Sequence, residues 1–109
     1  GHPADAVDPL GRIMSEHPTD AHAALAAFTL GTVEAGSLRR PDRAARAFEQ
    51  ALALGITRAL RADTLSRLAT ARRDAGDLAG ARSAATQYLA EFPDGPRAPR
   101  MSELAGATP

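Results

Sequence analysis

The chain has no cysteine, no lysine and no tryptophan, and only 4% of its 109 residues are aromatic. Without cysteine there is no disulfide scaffold, no thiolate zinc site and no thiol nucleophile, while oxidising and reducing compartments both stay open. With so few rings, any core has to be built from small side chains in close approach, and about a quarter of the residues are alanine. Alanine is the best helix former and a poor strand former, so the composition predicts helices. Neither sign of charge dominates: thirteen basic residues balance thirteen acidic ones. No net field therefore draws the chain to nucleic acid or to an anionic membrane surface. No apolar run in the sequence approaches the ~20 residues needed to span a bilayer. A 44% hydrophobic content over this length suits one domain with a modest core.

Every basic residue is arginine. Together with the alanine, glycine and proline load, that bias implies a GC-rich bacterial gene. The Gly1-His2 start reads as an expression remnant, so residues 1–7 are expected to be a flexible beginning and 106–109 a tail.

Helix starts and stops divide the chain into six segments. Asp8-Pro9 provides a cap and a first-turn proline, and Leu10, Ile13 and Met14 recur at helical spacing until His17-Pro18, predicting a helix over about 9–17. Thr19 or Asp20 can cap a second helix over 20–35, where Ala24, Ala27, Phe28, Leu30, Gly31 and Val33 leave little polar circumference. Pro41 suits the first position of a helix over 41–54 whose apolar stripe is Ala44, Phe48, Ala51 and Leu52, with Arg43, Arg46, Glu49 and Gln50 facing water. Gly55 closes it, because glycine adopts the left-handed conformation at low cost. A helix over 57–75 follows, with Leu65, Leu68 and Ala69 inside. Gly76-Asp77 breaks and recaps the chain ahead of a helix over 78–92 that Pro93 ends, and a short helix over 97–105 carries Met101 and Leu104.

Helices of this length joined by tight turns form antiparallel hairpins, and here the hairpins repeat. Ala44, Phe48, Ala51 and Leu52 superimpose on Ala81, Ala85, Tyr88 and Leu89 at a shift of 37 residues, and Leu30-Gly31 on Leu68-Ala69 at 38. With Gly76-Asp77-Leu78 and Pro93 in order, this pattern resembles the tetratricopeptide repeat. Two departures stand out: Ala85 and Tyr88 exchange the usual large and small residues, and the first hairpin's turn is one residue longer. Tyr88-Leu89-x-x-Phe92-Pro93-x-Gly95 also looks like repeats of bacterial envelope proteins, and Ala26 to Gly31 is similar to the repeat tails of FecR-like regulators.

The resemblance implies an all-α right-handed superhelix of two hairpins between half-repeat caps, spanning residues 8–105, and slightly favours a periplasmic location. It implies a protein–protein interaction module that binds a peptide or helix of another protein in its concave groove. By register, Phe28, Thr32, Ser66, Thr70, Arg73 and Arg97 would face that groove, with Arg67 and Arg100 at its rim. Family members that grip a chaperone's terminal carboxylate use Lys and Asn at matched positions, which here hold Phe28, Thr32, Ser66 and Thr70, so that clamp is not expected. The competing expectation is a spacer or oligomerisation domain that forms homodimers and has no groove ligand. Where the family has an aromatic late in the first helix, this chain has Glu34 and Arg72, and the resemblance implies that they pair across the repeat junction.

Chemistry finds few footholds. His17 and His22 with Glu16 and Asp20 form the one cluster resembling metal ligands, but Pro18 interrupts the helix between the histidines, so no i, i+4 zinc pair forms. No serine sits in a recognisable nucleophile turn, and no glycine-rich phosphate loop follows a strand. Arg39, Arg40, Arg43 and Arg46 make the densest basic stretch, yet Asp42 and Glu49 interrupt it and no aromatic is interleaved for base stacking. A binding protein without catalysis, metal or cofactor is the expectation.

Overall fold

The computed structural model describes residues 21–106, which form five helices in succession: α1 Ala21–Ala35, α2 Pro41–Ala53, α3 Arg58–Asp74, α4 Leu78–Glu91 and α5 Ala98–Leu104. Five of the six expected helices fall here, each shorter than expected by its capping residues. The helix expected over 9–17 lies outside the described residues, as do His17, Glu16 and Asp20. Each helix packs on the next, and α3 also meets α5. Connections of three to six residues are short enough to favour antiparallel neighbours. The architecture is all-α, a stack of helical hairpins.

Local chemistry explains the turns. Gly55 and Gly76 have φ of 88° and 87°, and behind each the chain closes on its helix by the same pair of bonds. Ile56 N–H donates to the Ala51 carbonyl and Gly55 N–H to Leu52; Asp77 N–H donates to Arg72 and Gly76 N–H to Arg73. This left-handed closure satisfies orphan carbonyls and needs glycine at the positive-φ position. Asp77 then caps α4 by accepting the Gly80 N–H at 2.9 Å, an arrangement worth about 1 kcal/mol.

The core follows the repeat. Ala44, Phe48 and Ala51 are fully buried, and so are their equivalents Ala81, Ala85 and Tyr88. α1 brings Ala23, Ala24, Ala27 and Gly31 to its buried side, so its partner backbone approaches closely. The Phe48 ring fills the space over Gly31: a Cβ built on Gly31 would lie 2.5 Å from the ring. In the second hairpin both members change together. Ala69 stands for Gly31 and Ala85 for Phe48, while the bulk moves to Tyr88. The exchanged residues noted in the sequence thus preserve volume, as a core packed to crystal density requires.

One expected contact is corrected. Glu34 does not pair with Arg72: its carboxylate sits 3.9 Å from Arg40, the residue whose N–H its own carbonyl accepts at 2.6 Å. Arg72 donates instead to Glu49 on α2 and to the Gly80 carbonyl in the first turn of α4, both at 3.0 Å. α1 packs chiefly on α2, whereas α3 lies between α2 and α4, so the late positions of α1 and α3 look at different neighbours.

A second clasp joins α3 to α4. Arg61 donates to both carboxylate oxygens of Glu91, at 2.6 and 2.8 Å, and Gln87 donates to the same carboxylate. The Arg61 hydrogen bonds, ahead of the opposing effect of burial, hold the Glu91 carboxyl down from 4.5 to about 2. A depressed folded-state pKa means stabilisation that is complete above the unfolded value and lost as pH falls through the folded one. Solvent reaches over a quarter of both side chains, which trims the gain to about 1 kcal/mol. Urea midpoints are therefore expected to fall between about pH 5 and pH 2 in the native chain. A Glu91→Gln chain should lose part of that slope; an identical pH profile would show the clasp contributes nothing.

Candidate functional site

The sequence places small polar residues on one stripe of α3, with Asp63, Ser66, Arg67, Thr70 and Asp74 recurring every three or four positions. That stripe forms one wall of a cleft of about 650 Å³. The end of α1 and the turn after it contribute Ala35, Gly36 and Arg39; Pro41 begins α2; Arg97 and Arg100 come from the start of α5 and the residue before it. The fully buried Phe48 and Met101 back the floor.

Within the wall, the hydroxyls are tied to their own helix. Ser66 donates to the Asp63 carbonyl at 3.0 Å and Thr70 to the Ser66 carbonyl at 3.1 Å, so each keeps oxygen lone pairs for a ligand donor. Arg67 donates to the Asp63 carboxylate at 3.0 Å and lays its guanidinium over the Phe28 ring, 5.6 Å from the centroid. Phe28 in turn meets the Phe48 ring, centroids 5.9 Å apart. Asp74 accepts from Arg73 at 3.1 Å.

Tyr88 sets the other wall. Its buried hydroxyl accepts the Arg97 N–H at 3.0 Å, and its ring lies 5.7 Å from that of Phe92, over which the Arg58 guanidinium sits at 4.9 Å. Gly95 passes so close to the Tyr88 hydroxyl that no Cβ fits. These contacts hold the α4–α5 connection against α4 and thereby fix where Arg97 and Arg100 emerge.

Of the residues assigned to a groove by register, Ser66, Arg67, Thr70, Arg97 and Arg100 line this one cleft. Phe28, Thr32 and Arg73 do not line it. Phe28 is half-buried beneath Arg67, Thr32 donates to the Thr29 carbonyl at 2.7 Å, and Arg73 is turned to Asp74. Sequence reasoning did not assign Arg39, Asp63 and Asp74 to the groove. Asp63 and Asp74 were visible in the three-and-four spacing with Ser66 and Thr70. Arg39 stood out only as part of the densest basic stretch, and its place at the cleft depends on a φ of 50° in the α1–α2 turn. The basic stretch that contains it is dispersed: Arg40 turns to Glu34, Arg46 pairs with Asp42 at 3.7 Å, and Arg43 and Arg46 line a separate shallow hollow with Leu30, Glu34, Ala47 and Gln50.

Among the described residues no three His, Asp or Glu side chains gather as a metal site would need, and no helix is long and apolar enough to cross a membrane. No protein-family model matches the chain, and a search of curated proteins found no significant match.

Proposed function

We propose that this chain is a protein–protein interaction module of the tetratricopeptide-repeat kind, and that it binds a peptide or helix of another protein without catalysing a reaction. The observation that carries this reading is the cleft between α3, α5 and the α1–α2 turn, which mixes apolar surface with a few fixed polar groups. Grooves of that composition recognise peptides through apolar pockets and a small number of directional contacts. The repeat pattern supports it too, because stacked hairpins leave one continuous concave side.

Filling the cleft tests the reading. Thr70 is half-buried on the cleft wall, and Thr70→Trp places an indole there without entering the Phe48 core. A peptide array probed with the native chain is expected to yield binders whose signal drops at least about tenfold for Thr70→Trp, with the circular dichroism melt unchanged. A spacer or oligomerisation domain predicts the reverse: sedimentation would show a mass rising with concentration, and cleft filling would leave every array signal as it was.

A further inference from the structure

We propose that the cleft takes an acidic segment of a partner protein, whose carboxylates are held by Arg39, Arg97 and Arg100. This rests on the reading of the cleft as a peptide site and names the chemistry of its ligand. The chain as a whole is neutral, and six of its thirteen arginines are paired within the fold: Arg40 with Glu34, Arg46 with Asp42, Arg61 with Glu91, Arg67 with Asp63, Arg72 with Glu49 and Arg73 with Asp74. Arg39, Arg97 and Arg100 have no ion-pair partner among the described residues, and all three line the same cleft. The two acids of the lining do not answer them, since Asp63 is engaged by Arg67 and Asp74 by Arg73.

Three features make this more than a loose positive patch. The cations come from two distant parts of the chain, the α1–α2 turn and the start of α5, and the fold brings them to one cleft. Arg39 holds φ at 50°, in the left-handed region that costs a residue with a Cβ about 1 kcal/mol, and this is where its side chain joins the cleft. The Arg97 backbone is anchored by the Tyr88 hydroxyl, so one cationic position is set before a ligand arrives. Guanidinium groups bind carboxylates in bidentate fashion and do so most strongly in a partly enclosed site. A nucleic acid strand fits less well. No exposed ring lines the cleft for base stacking, because Phe28 is covered by Arg67, and Asp63 and Asp74 would face the phosphates.

The test uses the full chain and four probes: a capped peptide alternating Glu and Leu, its Gln-for-Glu and Lys-for-Glu counterparts, and a short single-stranded oligonucleotide. Binding is read by fluorescence polarisation and by amide shifts of Ser66 and Thr70. The acidic peptide is expected to bind at least about tenfold more tightly than the other two peptides, weakening as salt rises. An Arg97→Gln/Arg100→Gln chain should lose about tenfold for it, while Arg82→Gln, whose side chain lies outside the cleft, should lose nothing. Equal binding of the Gln peptide with shifts at Ser66 and Thr70 would overturn the acidic preference and leave the peptide cleft standing. Absence of shifts with any peptide would overturn both. Binding of the oligonucleotide instead, sensitive to Arg97→Gln/Arg100→Gln, would assign the cations to nucleic acid and overturn the proposal.

Discussion

Replacing Tyr88 by alanine is expected to lower the unfolding free energy by about 3–5 kcal/mol, as deletion of a buried ring does. For a small domain held by about 5–15 kcal/mol this is enough to leave a marginal fold. Tyr88 is 0% exposed, the largest of the fully buried side chains, and it serves two purposes at once. Its ring supplies the buried bulk of α4, where Ala81, Ala84 and Ala85 provide little, and its hydroxyl is the acceptor for the Arg97 N–H. The two parts separate experimentally. Tyr88→Phe keeps the ring and strands the N–H, and should cost about 1–2 kcal/mol in urea titrations. It should also weaken binding at the cleft, because Arg97 and Arg100 lose their anchor. A Tyr88→Ala midpoint close to that of the native chain would show that the α4–α5 junction is held by something else.

The second large effect lies at the Gly31–Phe48 contact. Phe48→Ala removes the other buried ring and is expected to cost about 3–5 kcal/mol. Gly31→Ala is expected to cost about 1–3 kcal/mol by overpacking, since the added methyl would meet the Phe48 ring at 2.5 Å and force it to shift. The sharper expectation concerns both together. Gly31→Ala/Phe48→Ala recreates the Ala69 and Ala85 arrangement of the second hairpin, so the methyl no longer clashes and fills a little of the cavity. The double variant should therefore be more stable than the sum of the single losses by at least about 0.5 kcal/mol, measured as a double-mutant cycle in urea. Strict additivity would mean that the two positions do not share one packing problem.

Most of the helical framework was legible before any coordinates. Pro41 at a first helical position, Gly55 and Gly76 at left-handed closures and Asp77 as a cap are local signals, and local backbone chemistry reads out where they sit. The periodic Ala44, Phe48 and Ala51 stripe and its copy at Ala81, Ala85 and Tyr88 were legible for the same reason, since burial follows from helical spacing. The cleft was legible in part. Ser66, Thr70 and Arg67 share one stripe of one helix, so their common wall needs no knowledge of other helices.

Pairing was not legible. Glu34 and Arg72 occupy matched positions and opposite charges, yet a partner is chosen by which helix stands within reach of a side chain, and that depends on how each helix is rotated and stacked. Glu34 found Arg40 just beyond the end of its own helix, and Arg72 found Glu49 and Gly80 on the helices that flank α3. The sequence alone determined five helices to within their capping residues, the hairpin repeat and the absence of thiol chemistry, because each is written in neighbouring residues. Only the tertiary structure decided that Arg39, Arg97 and Arg100 meet at one cleft. Arg39 lies about sixty positions from the other two, and no local rule connects a left-handed turn after α1 with the backbone that Tyr88 holds ahead of α5.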